Sequence, residues 1–156
     1  MTRVWRMCRA IHAAFDGEGA RLAGGRWTPR GVAAVYTGSS LALTALEYFV
    51  HLDFEFAPVD LVAVPAEIPP QVRIETVSAS TLPANWRAIT WPPALSAIGA
   101  AWVRASKTTV LRVPSAVIPA ESNYILNPAH PDFKRITIGK PQAFTYDPRM
   151  WKKPSR

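Results

Sequence analysis

Glu47 is the acid around which chemistry could be built in this sequence. It lies in a stretch free of Gly and Pro, four residues before His51, so on a helix the two share a face with Leu43. That face is otherwise largely apolar, and a carboxylate there is costly unless an arginine, a hydroxyl donor or a ligand meets it. Three further features carry suitable groups: Gly24-Gly25-Arg26-Trp27, the run Tyr36-Thr37-Gly38-Ser39, and Val113-Pro114-Ser115 ahead of Asn123. An acid and a histidine at this spacing could do general acid-base work, or could be no more than a helical pair contributing about 0.2–0.5 kcal/mol. Other chemistries lack their residues. Gly17-Glu18-Gly19 has no third glycine for a dinucleotide turn, and Gly24-Gly25-Arg26 has neither the spacing nor the lysine of a phosphate loop. The histidines at 12, 51 and 130 are too scattered for a metal-ligand spacing, and Cys8 alone allows neither an intramolecular disulfide nor a paired-thiolate zinc site. No metal is expected.

The elements that must position these groups follow from hydrophobic pattern and punctuation. A strand is predicted over 4–11. A loop over 16–31 holds five of the eight glycines with Arg21, Arg26 and Arg30, and a short apolar strand follows over 32–37. Ser40 is then the N-cap of the clearest helix, 41–54, closed off by Pro58. Strands are predicted over 59–64 and 72–77. Pro92-Pro93 opens a second helix with Leu95, Ile98 and Trp102 on one stripe. Five short strands complete the chain, over 109–113, 115–118, 123–126, 135–138 and 143–146. The class is α+β, a compact bent mixed or antiparallel sheet with two main helices. The absence of alternating crossover helices argues against a doubly wound nucleotide fold. A single domain is expected over 1–150, followed by a basic tail over 151–156.

Composition bounds what such a chain can be. Hydrophobic residues make up 49% of the chain and charged residues 19%, a balance that favours a folded core over disorder. Fifteen prolines weigh against an all-helical bundle. No stretch approaches the roughly 18 apolar residues of a membrane span, and no signal-type apolar run follows Arg3, Arg6 and Arg9, so a soluble, cytoplasmic protein is expected. The net charge of +7 would draw a polyanion or an acidic partner at low salt. Thirteen arginines spread along the chain do not form the dense tract expected of a nucleic-acid-binding segment.

Taken in order, Trp5-Arg6, Gly24-Gly25-Arg26-Trp27 with Gly31, Tyr36-Thr37-Gly38-Ser39-Ser40, Leu46-Glu47, Val113-Pro114-Ser115 and Asn123-Tyr124-Ile125-Leu126-Asn127-Pro128 with His130-Pro131 resemble the RES-domain family, toxins of bacterial toxin-antitoxin pairs. The resemblance covers nearly the whole chain, with residues 64–105 matching only in general pattern. It implies a fold similar to ADP-ribosyltransferases and NAD as substrate rather than as a resident cofactor. The implied reaction is cleavage of the nicotinamide-ribose bond by hydrolysis or phosphorolysis, or ADP-ribosyl transfer to a protein. By that likeness Arg26, Glu47 and Ser115 are the catalytic triad, joined in the pocket by Arg6, Tyr36, His51 and Asn123. It further implies a cognate antitoxin of the Xre, helix-turn-helix type that blocks the active-site mouth, a toxin-antitoxin assembly of several chains, and no nucleic acid contact except through the antitoxin.

The residue types suit that chemistry. Guanidinium forks such as Arg6 and Arg26 bind pyrophosphate oxygens in pairs, where lysine acts as a point charge. The nicotinamide ring is cationic before cleavage, so the face of Tyr36 could attract it by about 0.5–2 kcal/mol. Nicotinamide departs neutral and leaves an oxocarbenium-like ribose, so one carboxylate can suffice where glycosidases need two. Glu47 would stabilise that cation, and Ser115 would orient the nicotinamide or ribose side. Two readings from other classes compete: a small basic RNA-binding or ribonuclease-type toxin whose arginines contact phosphates, and a plain interaction domain without catalysis.

Overall fold

The computed structural model describes residues 1–151. Its elements are β1 (Thr2–Arg9), α1 (Glu18–Ala23), β2 (Val35–Gly38), α2 (Leu41–Phe49), β3 (Leu61–Ile68), β4 (Ile74–Thr76), α3 (Pro93–Ala105), β5 (Val110–Pro114), β6 (Ser122–Leu126), β7 (Thr137–Ile138) and β8 (Gln142–Ala143). The strands form one sheet in the order β4-β5-β6-β2-β1-β3-β7, with β8 also pairing β3. All pairs are antiparallel except β4 with β5, which α3 connects as a crossover. The fold is α+β, as its alternation of prolines and short apolar runs dictates.

Strand alternation sorts the sheet into two faces. Val4, Val64, Val110 and Leu126 pack on one face with Phe15, Val72 and Ile136. Their neighbours of opposite parity face the helices: Leu111, Val113 and Ile125 meet Leu95 and Trp102 of α3, while Met7 and Ala63 meet Leu41, Ala45 and Phe49 of α2. Both main helices therefore cover the same face, and a cleft is left between them.

Several local predictions need correcting, each for a visible reason. The helix predicted over 41–54 stops at Phe49. Its last turn tightens through His51 N–H donating to the Tyr48 carbonyl, and the Asp53 carboxylate then caps a separate 3-10 turn by accepting from Glu55 N–H. The glycine-rich loop contains a helix, α1, started by Asp16 accepting from Glu18 N–H and ended at Gly24, whose φ of +71° excludes most side chains. The strand predicted over 115–118 is a turn, because the Ser115 hydroxyl accepts from the N–H groups of Val117 and Ile118 and so takes the backbone donors a ladder would need. The last two strands shrink to two residues each, β7 and β8. Trp151, read as the start of the tail, is packed against Phe49 and Tyr146 at the end of a 3-10 turn; the remaining tail, 152–156, lies outside the described residues.

Candidate active site

The helix-covered sheet face opens into a cleft of about 680 Å³. Its floor is Met7 of β1, Tyr36 of β2 and Asn123 of β6. One wall is α2 with Glu47 and Tyr48, and the other is the loop between β4 and α3 with Arg87 and Trp91.

Helix α2 holds its acid in place through three fixings. The Ser40 hydroxyl accepts from Leu43 N–H at the helix start. Thr44 donates to the Ser40 carbonyl at 2.8 Å and sits against Gly38, where any Cβ would collide with its hydroxyl. Tyr146 donates to the Ala45 carbonyl at 2.5 Å from the other side. Glu47 is thereby half-buried at the cleft with both oxygens occupied: Ser115 Oγ donates to Oε1 at 2.7 Å and Asn123 Nδ2 to Oε2 at 2.6 Å. Both donors are neutral. Among the described residues no lysine or arginine forms an ion pair with this carboxylate. Burial pushes the Glu47 carboxyl above the usual carboxylate range, with the bonds from Ser115 and Asn123 and the attraction of His51 pulling against it and Glu121 adding to the rise.

Ser115 is fully buried and does not line the cleft, contrary to the expectation that it would orient substrate. Its hydroxyl accepts from two backbone N–H groups and donates to Glu47, which makes it a positioning residue. Ser115→Ala leaves those two N–H groups and one carboxylate oxygen short of a partner, and should destabilise the fold by about 1–3 kcal/mol. It should also raise the pKa of Glu47 further, moving the acid limb of activity to higher pH. A pH-rate profile beside a thermal melt checks both; an unmoved acid limb would reduce Ser115 to a turn former.

Arg26 lines the cleft, with half of its fork engaged: Nη1 donates to the Trp86 carbonyl at 2.7 Å and the Ala88 carbonyl at 3.0 Å, and the guanidinium lies over the Trp91 ring at 5.0 Å. Burial lowers its pKa, while the attraction of Glu47 opposes that. Tyr36 lies beside Gly25, where an added Cβ would come within 2.7 Å of the phenol oxygen, so only glycine permits the contact. That oxygen accepts from Trp27 N–H and shares a bond of 2.8 Å with the Thr28 hydroxyl. The ring is thus fixed at the cleft by its polar tip. Asn123 also donates to the Thr37 carbonyl, which fixes its amide. His51, in the turn after α2, is exposed at the rim.

Arg6 does not belong to this group. It has the parity of Val4, points to the opposite sheet face, donates to the Ala14 carbonyl and lies over the Phe15 ring. The second guanidinium of the cleft is Arg87, which sequence reasoning missed. Its signal was the stretch from Pro83 to Pro92, a long loop carrying Trp86 and Trp91 with an arginine between them. Tyr48 and Trp91 were also missed as wall residues. Away from the cleft, His130 caps the turn at Pro131–Arg135 and its Nδ1 meets the Thr109 hydroxyl, a structural arrangement. No group of three His, Cys, Asp or Glu among the described residues could hold a metal ion, and no described helix is long and apolar enough to cross a membrane.

The class is an α+β domain with a half-buried acid, held by two neutral donors, on the wall of an aromatic, arginine-bearing cleft. Residues 3–147 match the RES domain, and the chain belongs to that family. It is 40% identical over 141 residues to the Prs ADP-ribosylating toxin of Sphingobium sp. (strain YBL2), covering 89% of this chain and 88% of the relative. It is 36% identical over 152 residues to the Toxin Res of Photorhabdus laumondii, covering 96% and 97%. In fold it resembles a chain in the crystal structure of the M.tuberculosis MbcT-MbcA toxin-antitoxin complex, with a TM-score of 0.73, 18% identity, and coverage of 96% of this chain and 86% of that one.

Proposed function

We propose that this RES-domain toxin cleaves the nicotinamide-ribose bond of NAD, and that the carboxylate of Glu47, in no ion pair among the described residues, is the group that makes the site catalytic. The observation that carries the reading is the bonding of that carboxylate. Ser115 and Asn123 orient both oxygens through neutral donors, and the carboxylate so held lines the cleft. A site that kept Glu47 only for stability would pair it with a cation, since a half-buried lone carboxylate is unfavourable.

In the reaction the C1′–N bond breaks and its electron pair leaves with neutral nicotinamide. Positive charge develops on the ribose beside Glu47, and an acceptor oxygen then bonds to C1′ and gives up its proton. The carboxylate acts at the point where charge grows in the transition state, which is where fixed electrostatics accelerate a reaction most. Tyr36 offers its ring to the nicotinamide, and Arg26 holds the cleft wall and presents the free part of its guanidinium. The acceptor is water or phosphate in this reading. Transfer to a protein is the second reading, favoured by the relative named as an ADP-ribosylating toxin.

A cognate antitoxin of the DNA-binding, helix-turn-helix kind would silence the toxin by covering the cleft mouth in the cytoplasm. The net charge of +7 suits an acidic inhibitor. The ribonuclease-type rival is weakened by the state of the arginines: among the described residues Arg3, Arg9, Arg21, Arg135 and Arg149 are each in an ion pair with an acid. The deciding experiment incubates purified protein with NAD, with and without phosphate, and follows free nicotinamide. Release of nicotinamide is the expected result. RNA cleavage in its absence would favour the rival, and unchanged growth arrest in Glu47→Ala and Arg26→Ala would favour a non-catalytic interaction domain.

A further inference from the structure

We infer that Arg87 is the phosphate-binding fork of the cleft, and that Arg26 serves largely to hold Arg87 in place. The inference rests on the NAD reading above for the identity of the ligand, a pyrophosphate diester, but its evidence is independent of the bond being cleaved.

Arg87 lies outside any helix or strand, in a turn where Trp86 N–H donates to the Pro83 carbonyl and Ala88 N–H to the Asn85 carbonyl, and its position is fixed further from outside the loop. Arg26 Nη1 donates to the carbonyls of Trp86 and Ala88, the residues on each side of Arg87. Arg87 Nε donates to the Ala116 carbonyl at 2.9 Å, tying the loop to the turn that Ser115 builds. Backbone and side chain are both fixed while the guanidinium itself stays exposed at the cleft wall. Among the described residues its two terminal nitrogens have no hydrogen-bond partner, and Arg87 is in no ion pair, unlike the five arginines that meet acids. An arginine serving only to close the loop would need no charge left facing the cleft.

The division of labour follows from what each fork has left. Arg26 has Nη1 occupied by two backbone carbonyls and its face stacked on Trp91, so the end-on edge of its fork is taken and only the Nε–Nη2 side is left. The edge of Arg87 formed by its two terminal nitrogens is complete and matches two phosphate oxygens. Glu47, Tyr36 and Asn123 occupy the floor and the opposite wall, so an anion at Arg87 would leave the scissile end of a dinucleotide free to reach the acid.

The test measures binding of ADP-ribose, which carries the same pyrophosphate and no nicotinamide bond to cleave, by titration calorimetry. Arg87→Ala is expected to weaken binding by about tenfold to a hundredfold, as loss of a charge-assisted pair requires. Arg87→Lys, which keeps the charge without the fork, should recover only part of it. Arg104→Ala removes an exposed arginine of α3 outside the cleft, lowers the net charge equally, and should bind like wild type. With NAD, Arg87→Ala should raise KM more than it lowers kcat.

Equal affinity of wild type and Arg87→Ala overturns the inference, as does an equal loss in Arg104→Ala or failure of wild type to bind ADP-ribose at all. If Arg87→Ala does not fold by thermal melt, Arg87→Lys decides, and wild-type affinity in that variant overturns it. Arg87-dependent binding of ADP-ribose without release of nicotinamide from NAD would remove the cleavage reading and leave this inference standing.

Discussion

Glu47→Gln is expected to lower nicotinamide release from NAD by about a thousandfold while the protein remains folded, because an isosteric amide keeps the shape of the site and removes the negative charge proposed to face the forming cation. The substitution also disturbs the local bonding. Asn123 Nδ2 donates to Oε2 and to the Thr37 carbonyl at once, so its amide cannot turn round to accept from a glutamine NH2 without abandoning one partner. A modest loss of stability therefore accompanies the loss of rate, and nicotinamide release measured beside a thermal melt separates the two. Retention of more than a tenth of the wild-type rate would remove Glu47 from the chemistry.

The ionisation of Glu47 sets the direction of the pH response. Its pKa in the folded protein is raised above 4.5, the value of the free side chain, chiefly by burial. The proposed reaction uses the charged form, so kcat/KM should fall on acidification with an acid limb above pH 4.5. The stability linkage has the opposite sense. A carboxyl with a raised folded pKa contributes stability that is full below the unfolded pKa and is lost as pH rises through the folded one. On the proposed chemistry, ionising this acid costs the fold some stability, and the site should be most active where the carboxyl contributes least to it.

How much of this was legible in the sequence depends on the range of the interaction that fixed each residue. Glu47 was readable because its oddity is local, an acid on an apolar helical face, and the long-range partners it demanded proved to be Ser115 and Asn123. Tyr36 was readable from a short apolar strand followed by Gly38-Ser39. The α+β class followed from proline and strand punctuation. Arg6 was misplaced because its position depends on strand parity: a shift of one residue along β1 reverses the face, and only pairing with β2 and β3 fixes which residues face the helices. Ser115 was assigned the right neighbourhood and the wrong task, since burial of its hydroxyl under the 115–118 turn has no local signature. Arg87 was missed for a related reason. Its loop has no periodicity, and the contacts that tie it to the cleft come from a guanidinium some sixty residues earlier and a carbonyl some thirty residues later in the chain.

Gly99→Ala is the substitution expected to be most damaging to the fold. In a helix interior Ala is ordinarily better than Gly by about 0.5–1 kcal/mol, so the usual expectation is a gain. At position 99 the ordinary rule is overridden by contact. The Cβ of an alanine would overlap the Trp27 carbonyl oxygen and meet the Trp27 carbonyl carbon at 2.8 Å and Thr28 Cγ2 at 3.0 Å. Two of these atoms are backbone, Thr28 is fully buried, and neither can rotate away. Helix α3 would have to lift off the loop, opening the cluster of Trp27, Leu95 and Trp102. Overpacking of this kind costs about 3 kcal/mol or more, which for a domain of this size lowers the melting temperature by about 6–12 °C. Gly19→Ala in α1, where a Cβ meets nothing within 4 Å, should instead leave stability unchanged or raise it. The same loop carries Arg26 and the Trp27 and Thr28 groups that hold the Tyr36 hydroxyl, so nicotinamide release should fall in Gly99→Ala and not in Gly19→Ala. Equal melting temperatures for the two variants would mean that α3 does not press on this loop, and would undo the account of how the cleft wall is fixed.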